Sequence, residues 1–477
     1  MASKRAKTKR RPGHAVHPRA AGRHRRRAPA VRDSTTPARP LREDLVTQAA
    51  LEAYGAVRHE GRLADRALDF TLRARRQLHS AERRAVAERV YALLRRQRTV
   101  DWVLERVYAP FPSLPATEQD LLRLCASRFL HGEPARAVTE SAHLGHERAQ
   151  ALGRIHDALA DLQRLPLEER FAIQVSIPDF LARRFLDQLG AEAEAALSAM
   201  NGRAPLVARA NTLLTDRDRL VFLLREQGID CRPTALSPLG VVLQTRVNAF
   251  SVDLFKQGLF ELQDEGSQLL GIIVDPPPTR VVDACAGAGG KTLQLAAAMR
   301  NRGELFAFDV DSARLDDLRK RTRRAGVHNT RVRAIPFTGE EAVNAVADLV
   351  GKADRVLVDA PCSGTGTFRR KPDARYRITP QDLVIHSQRQ RELLSRFSAL
   401  VKPGGRLIYG TCSILREENE AVVEDFLRAH PDFALRPAAE DLPTGMGEQV
   451  TENGLMKLFP HRHGTDGFFG AILVRAK

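Results

Sequence analysis

Val281–Thr292, VVDACAGAGGKT, reads as an apolar strand, a glycine-rich turn and the start of a helix in immediate succession. Glycines in such a turn let the backbone approach a ligand, and the helix N-terminus offers unpaired N–H groups to it. From Glu261 onward short apolar strands alternate with longer helical runs, the pattern of βαβ units in an open parallel sheet. Candidate strands end at Asp283, Asp309, Asp359 and Gly410. A helical stretch, Glu417 to His430, then leads to a closing strand in Gly467 to Ala476. The expected fold is a Rossmann-like, doubly wound α/β domain over residues 261–477.

Three ligand classes fit the loop. A dinucleotide fingerprint aligns on Gly287 and Gly289, but Thr292 stands where close helix–strand packing wants Gly or Ala. A phosphate-binding loop aligns on Gly290, Lys291 and Thr292, with Cys285 in place of its first glycine; Arg355 to Pro361, RVLVDAP, then resembles a metal-binding strand end. An adenosyl cofactor needs an acid at the end of the next strand for its ribose hydroxyls, and Asp309 supplies one. An acid at that offset serves a dinucleotide equally. The loop alone leaves all three open.

Two later motifs narrow the choice. DAPCSGTGTFRRKPD, Asp359 to Asp373, puts a carboxylate, a proline and a thiol on a glycine-punctuated loop after the third candidate strand; YGTCS, Tyr409 to Ser413, puts a second thiol beyond the next. Residues beyond carboxyl strand ends of a doubly wound sheet line one crevice, so Asp283, Asp309, Asp359, Cys362 and Cys412 are expected to converge. A cysteine is ordinarily a small buried hydrophobe. Cys125 and Cys231 keep that reading, and Cys285 reads as packing in the turn. Cys362 and Cys412, on turns past strand ends, read as chemistry.

The five cysteines are odd in number and show no zinc-ligand spacing, which argues against a disulfide framework or a metal. No apolar run approaches a membrane span, so a cytoplasmic protein without membrane contact is expected. The net charge of +17 is concentrated: residues 1–42 hold 14 Lys or Arg against one acid, Asp33. That segment has too little apolar surface to offset ordering and is expected to be a disordered basic tail that meets a polyanion. Residues 43–166 show helical spacing throughout and read as an all-α domain. Residues 171–260 mix helical stretches with strand-like runs at Leu206 to Ala210 and Gly240 to Gln244, and read as a small α+β domain.

The motifs DACAGAGGKT, DAPCSGTG with RRKPD, and GTCS resemble the signature loops of the Nop/Sun family of RNA cytosine-C5 methyltransferases. FELQDEGSQLL (Phe260 to Leu270) and DGFFGAIL (Asp466 to Leu473) extend the likeness over residues 260–477. Segment 43–166 resembles the NusB-like RNA-binding domain of the RsmB-like, Sun-type branch, and PLVARANTL (Pro205 to Leu213) resembles its small intervening domain. The resemblance implies S-adenosylmethionine as cofactor, held by Cys285, Ala286, Gly287, Ala288, Gly289, Gly290, Lys291, Asp309 and Asp359. It implies Cys412 as the nucleophile toward cytosine C6 and Cys362 as an aid to its release. We assign Asp359 to the base N3. One departure is the stretch Val332 to Glu341, VRAIPFTGEE, which has no acid near Pro336, where many members have one beside the adenine.

Arg369, Arg370, Lys371 and Arg375 follow the Cys362 loop directly and are expected to meet phosphates near an extruded base. The expected substrate is 16S ribosomal RNA and the expected state a monomer. Transfer RNA is the alternative substrate. The readings from other classes are a P-loop-like NTPase, which leaves two strand-end thiols without a use, and a catalytically silent RNA-binding assembly factor.

Overall fold

The computed structural model describes residues 40–477 apart from 109, 110, 246 and 338. The expected tail therefore lies outside the described residues up to position 39. Its last residue is a correction: Arg42 belongs to the folded part, its guanidinium gripping the buried carboxylate of Glu82 through Nε at 2.8 Å and Nη2 at 2.7 Å. A buried carboxylate needs such a partner, so the fold begins slightly earlier than charge density alone implies.

The described residues of 43–160 form a succession of helices joined by short loops, beginning with Glu43–Arg58, Ala64–Ala74, Ser80–Arg95, Gln97–Val107 and Ala116–Leu130. Apolar residues at three- and four-residue spacing, such as Val46, Ala50, Ala53, Val90, Leu93 and Leu94, face one core, which also buries Tyr54 and Trp102.

The expected 171–260 segment divides in two. Helices Leu167–Gln174, Asp179–Leu189 and Ala193–Asn201 bury Phe171, Leu181, Phe185 and Leu197 against Phe368, Leu383, Ile414, Leu415 and Phe459 of the C-terminal part. An amphipathic stripe reveals that a helix face is buried but not against what. The rest forms a four-stranded antiparallel sheet of β1 (Leu206–Ala210), β2 (Cys231–Pro233), β3 (Gly240–Leu243) and β4 (Phe260–Leu262), ordered β2-β3-β1-β4. β4 straddles the expected boundary at 260/261, and its pairing with β1 ties the small sheet to the next domain.

The C-terminal domain is built on a sheet containing β5 (Arg280–Asp283), β6 (Glu304–Asp309), β7 (Thr330–Ala334), β8 (Ala353–Asp359) and β9 (Val401–Thr411), all parallel. Later strands β10 (Phe433–Arg436), β11 (Thr451–Glu452), β12 (Leu455–Leu458) and β13 (Phe468–Arg475) add antiparallel pairs, with β13 lying against β9. The order β11-β12-β13-β9-β8-β5-β6-β7 places β5 between β6 and β8. The chain winds outward from β5 in both directions, and the crevice of such a sheet opens at the carboxyl ends of its central strands. Apolar clusters cover both faces: Phe308, Val356, Phe397 and Tyr409 belong to one, Leu269, Leu293, Leu357 and Ile408 to the other.

Among the described residues no helix is long and apolar enough to cross a membrane. No group of three or more His, Cys, Asp or Glu among them is arranged to hold a metal ion.

Candidate active site

β5 ends at Asp283 and the chain turns through Ala284–Gly289 into helix Gly290–Ala298. Gly289 caps that helix with φ +88°, and a Cβ there would stand 2.7 Å from Leu318 Cγ. Only glycine takes this turn without strain. Gly287 and Gly290 instead look onto open space, with nothing within 4 Å of a Cβ built on either. The loop is therefore held from behind and bare in front. Arg209 of β1 donates to the Gly290 carbonyl at 2.8 Å and Arg321 to that of Ala288 at 2.7 Å.

Asp309, at the end of β6, accepts the Gly287 N–H at 2.8 Å and the Asp311 N–H at 2.9 Å. Asp359, at the end of β8, accepts Lys291 Nζ at 2.7 Å. The Lys291 ammonium also stands 5.5 Å from the centroid of the Phe468 ring. Bare glycines, the N–H groups of a helix start and a strand-end carboxylate fit an adenosyl cofactor with a carboxylate tail.

Asp283 departs from expectation. It is 1% exposed and accepts the Thr292 hydroxyl at 2.7 Å, so it braces the loop from beneath rather than lining the crevice. Burial pushes its carboxyl up to about 7. Cys285 packs half-buried beside the β8–β9 cluster, and burial pushes its thiol well up, as befits a packing residue.

The two strand-end thiols meet: Cys362 Sγ lies 3.3 Å from Cys412 Sγ. The Cys362 loop is tied to β9 and β13 by Gly366 N–H donating to the Cys412 carbonyl at 3.0 Å and Gly467 N–H donating to the Gly366 carbonyl at 2.9 Å. Thr365 and Ser413 share a hydroxyl hydrogen bond at 2.9 Å. The Cys362 thiol is pushed well up, first by its bond to Cys412 and then by burial. Cys362 thus holds its proton at neutral pH, and either sulfur can donate in the bond between them.

The basic run after Cys362 does not face outward. Arg369 is buried and paired with Asp466 and Asp264, and Arg370 reaches the same two carboxylates, Asp264 at 2.6 Å. Arg375 is fully buried and donates to the carbonyls of Arg95 and Val175, both at 3.3 Å, and to Asn201 Oδ1 at 2.5 Å. These three arginines are structural ties and not phosphate contacts; Lys371 alone of the four is exposed. Their partners lie far away in sequence, so a local reading sees only a charge run. Sequence reasoning also passed over Glu418, buried behind the Cys362 loop.

Three family profiles match the chain: 16S rRNA methyltransferase RsmB/F over residues 272–474, an RsmF/B-like ferredoxin-like domain over 177–249 and the NusB family over 46–148. A probable ribosomal RNA small subunit methyltransferase B from Synechocystis sp. is 31% identical over 437 residues, covering 86% of this chain and 95% of that protein. The crystal structure of PH0851 matches with a TM-score of 0.73 at 28% identity, covering 92% of this chain and all (100%) of that one. A methyltransferase homologue from Pyrococcus horikoshii matches with a TM-score of 0.55 at 29% identity, covering 65% of this chain and 99% of that one.

Proposed function

This chain belongs to the RsmB/F family of 16S rRNA methyltransferases, and from that premise we propose that it methylates C5 of a cytosine in ribosomal RNA through a transient bond between Cys412 and C6. The cofactor is S-adenosylmethionine, which when bound supplies the methyl group that C5 takes. Residues 285–291 and Asp309 would hold it. The observation that carries the reading is the pair of sulfurs 3.3 Å apart on adjacent strand-end loops, next in the sheet to the Lys291–Asp359 pair.

Cytosine C5 is a poor nucleophile. Addition of the Cys412 sulfur to C6 makes the C4–C5–C6 unit an enamine and concentrates electron density at C5. Negative charge grows toward N3 as the C6–S bond forms, and Asp359 is the group we assign to that edge of the base, with the Lys291 ammonium paired to it as the source of the proton that N3 takes. After C5 has been methylated its proton leaves to solvent, the C5–C6 double bond reforms and the C6–S bond breaks. Cys362, which holds its proton beside the departing sulfur, can return one to it. The target base must leave its stack at a cost of roughly a few kcal/mol. The helical and small-sheet domains, similar to NusB and to the ferredoxin-like domain of relatives, offer RNA-binding area to offset that cost.

Methyl transfer from radiolabelled cofactor to a 16S rRNA transcript tests this. Cys412→Ala is expected to abolish transfer, and Cys362→Ala to trap enzyme on RNA in a complex that survives denaturing electrophoresis. Transfer that persists in Cys412→Ala would sink the covalent reading, and label found at a position other than cytosine C5 would sink the regiochemistry.

A further inference from the structure

Glu418 lies just past Cys412 in a run of charges, REENE, that looks like a solvated surface turn. Its side chain is fully buried. One carboxylate oxygen accepts the Ser363 N–H at 2.8 Å and the Gln390 amide at 3.2 Å, and the other accepts the Ser363 hydroxyl. Gln390 also donates to the Pro361 carbonyl at 3.0 Å, so carboxylate and amide together clamp residues 361–363. The backbone carbonyl of Glu418 accepts the Tyr409 hydroxyl at 2.6 Å. No Lys or Arg among the described residues comes within 4.0 Å of this carboxylate.

A buried carboxylate without a cation is expensive. Glutamine would serve the clamp as well: its oxygen takes the same two N–H donors, and its nitrogen donates to the Ser363 oxygen. The clamp's geometry therefore does not call for an acid, yet a glutamate stands there, a single peptide unit from Cys362.

We propose that Glu418 is a positioning residue whose carboxylate decides which of the paired sulfurs carries the proton, keeping it on Cys362 and leaving Cys412 as the attacking sulfur. The inference rests on the covalent reading above. A negative charge beside Cys362 opposes a second one on its sulfur. The groups that face Cys362 are Tyr409 from β9, Cys412 just past its end and Glu418 from the turn after that; the Tyr409 hydroxyl, pushed well up by burial, stays neutral. Arg391, on helix Pro380–Ser398, is the cation that bears on Tyr409.

The consequence falls on release. As the C6–S bond breaks, its electron pair goes to the Cys412 sulfur and the Cys362 proton follows; the C5 proton goes to solvent, and Cys362 recovers a proton from solvent. Removing the charge at 418 lets Cys362 lose its proton at lower pH and stalls this step there.

The full chain, S-adenosylmethionine and a 16S rRNA transcript provide the assay, with covalent complex read on denaturing gels from neutral to alkaline pH. Glu418→Gln is expected to move the onset of complex accumulation down by about one pH unit and to raise the complex several-fold at neutral pH. An unchanged onset with only a lower melting temperature would overturn the proposal and leave Glu418 a strut. Should that variant fold poorly, competitive alkylation of the native protein with iodoacetamide decides: Cys412 should label about tenfold faster than Cys362, and equal or inverted labelling overturns the proposal. Transfer persisting in Cys412→Ala would instead remove the covalent reading itself. A dead Cys412→Ala with an unshifted Glu418→Gln would remove this inference alone.

Discussion

At Asp283 a carboxylate sits under the cofactor loop, accepting the Thr292 hydroxyl at 2.7 Å, and burial raises its pKa from 3.8 to about 7. The folded chain thus keeps a proton that the unfolded chain gives up, across the window from about pH 4 to about pH 7. Stability from this group is fully present below that window and is lost as pH rises through it. Asparagine at 283 accepts the same hydroxyl and has nothing to ionise. Asp283→Asn should gain on the parent as pH rises from about 4 to about 7, by on the order of 4 kcal/mol in all, and hold steady above. Urea midpoints measured across that range test it; parallel curves for the two proteins would show that Asp283 is not the buried acid described.

Gly366 and Gly467 bring the Cys362 loop and the start of β13 into backbone contact: a Cβ on Gly467 would lie 2.4 Å from Ile414 Cγ2 and 2.8 Å from the Gly366 Cα. Backbone cannot yield as a side-chain tip can, so Gly467→Ala must part the two elements and draw Cys362 away from Cys412. The expected result is a loss of roughly 1–3 kcal/mol of stability and a much larger fractional loss of methyl transfer; transfer falling only in step with folded fraction would mean the contact does not set the sulfur pair. Both glycines sit in motifs visible in the sequence, and so do the strands, because turn and period are local signals. The expected strand ends at Asp283, Asp309 and Asp359 are those of the structure, while β9 runs one residue past Gly410 to Thr411. What was illegible is non-local. RRKPD reads as a phosphate-facing run and Glu417 to His430 as a helical stretch, and only the fold brings Asp264 and Asp466 to the first and Ser363 to Glu418 in the second.

Over the molecule as a whole, Arg375 joins three parts that sequence reading kept separate. Its one Nη1 group reaches the carbonyl of Arg95 in the N-terminal helices, that of Val175 and the side chain of Asn201 in the intervening ones, from a turn that continues the Cys362 loop. Burial lowers its pKa to about 10, which still leaves it charged at neutral pH. Loss of the guanidinium strands several buried acceptors at about 1–3 kcal/mol each. Arg375→Ala should therefore lower the unfolding free energy by about 3 kcal/mol or more. An arginine on phosphate behaves otherwise: its removal spares the fold and flattens the salt dependence of RNA binding by close to one charge. Residues 1–39, with 13 Lys or Arg and one acid, are the place for that second behaviour. Deleting them should leave the melting temperature in place and reduce the slope of log affinity against log salt several-fold more than Arg375→Ala does. If Arg375→Ala melted like the parent and bound RNA with a flattened slope, the buried tie would be the wrong description of this arginine and the sequence-based reading the right one.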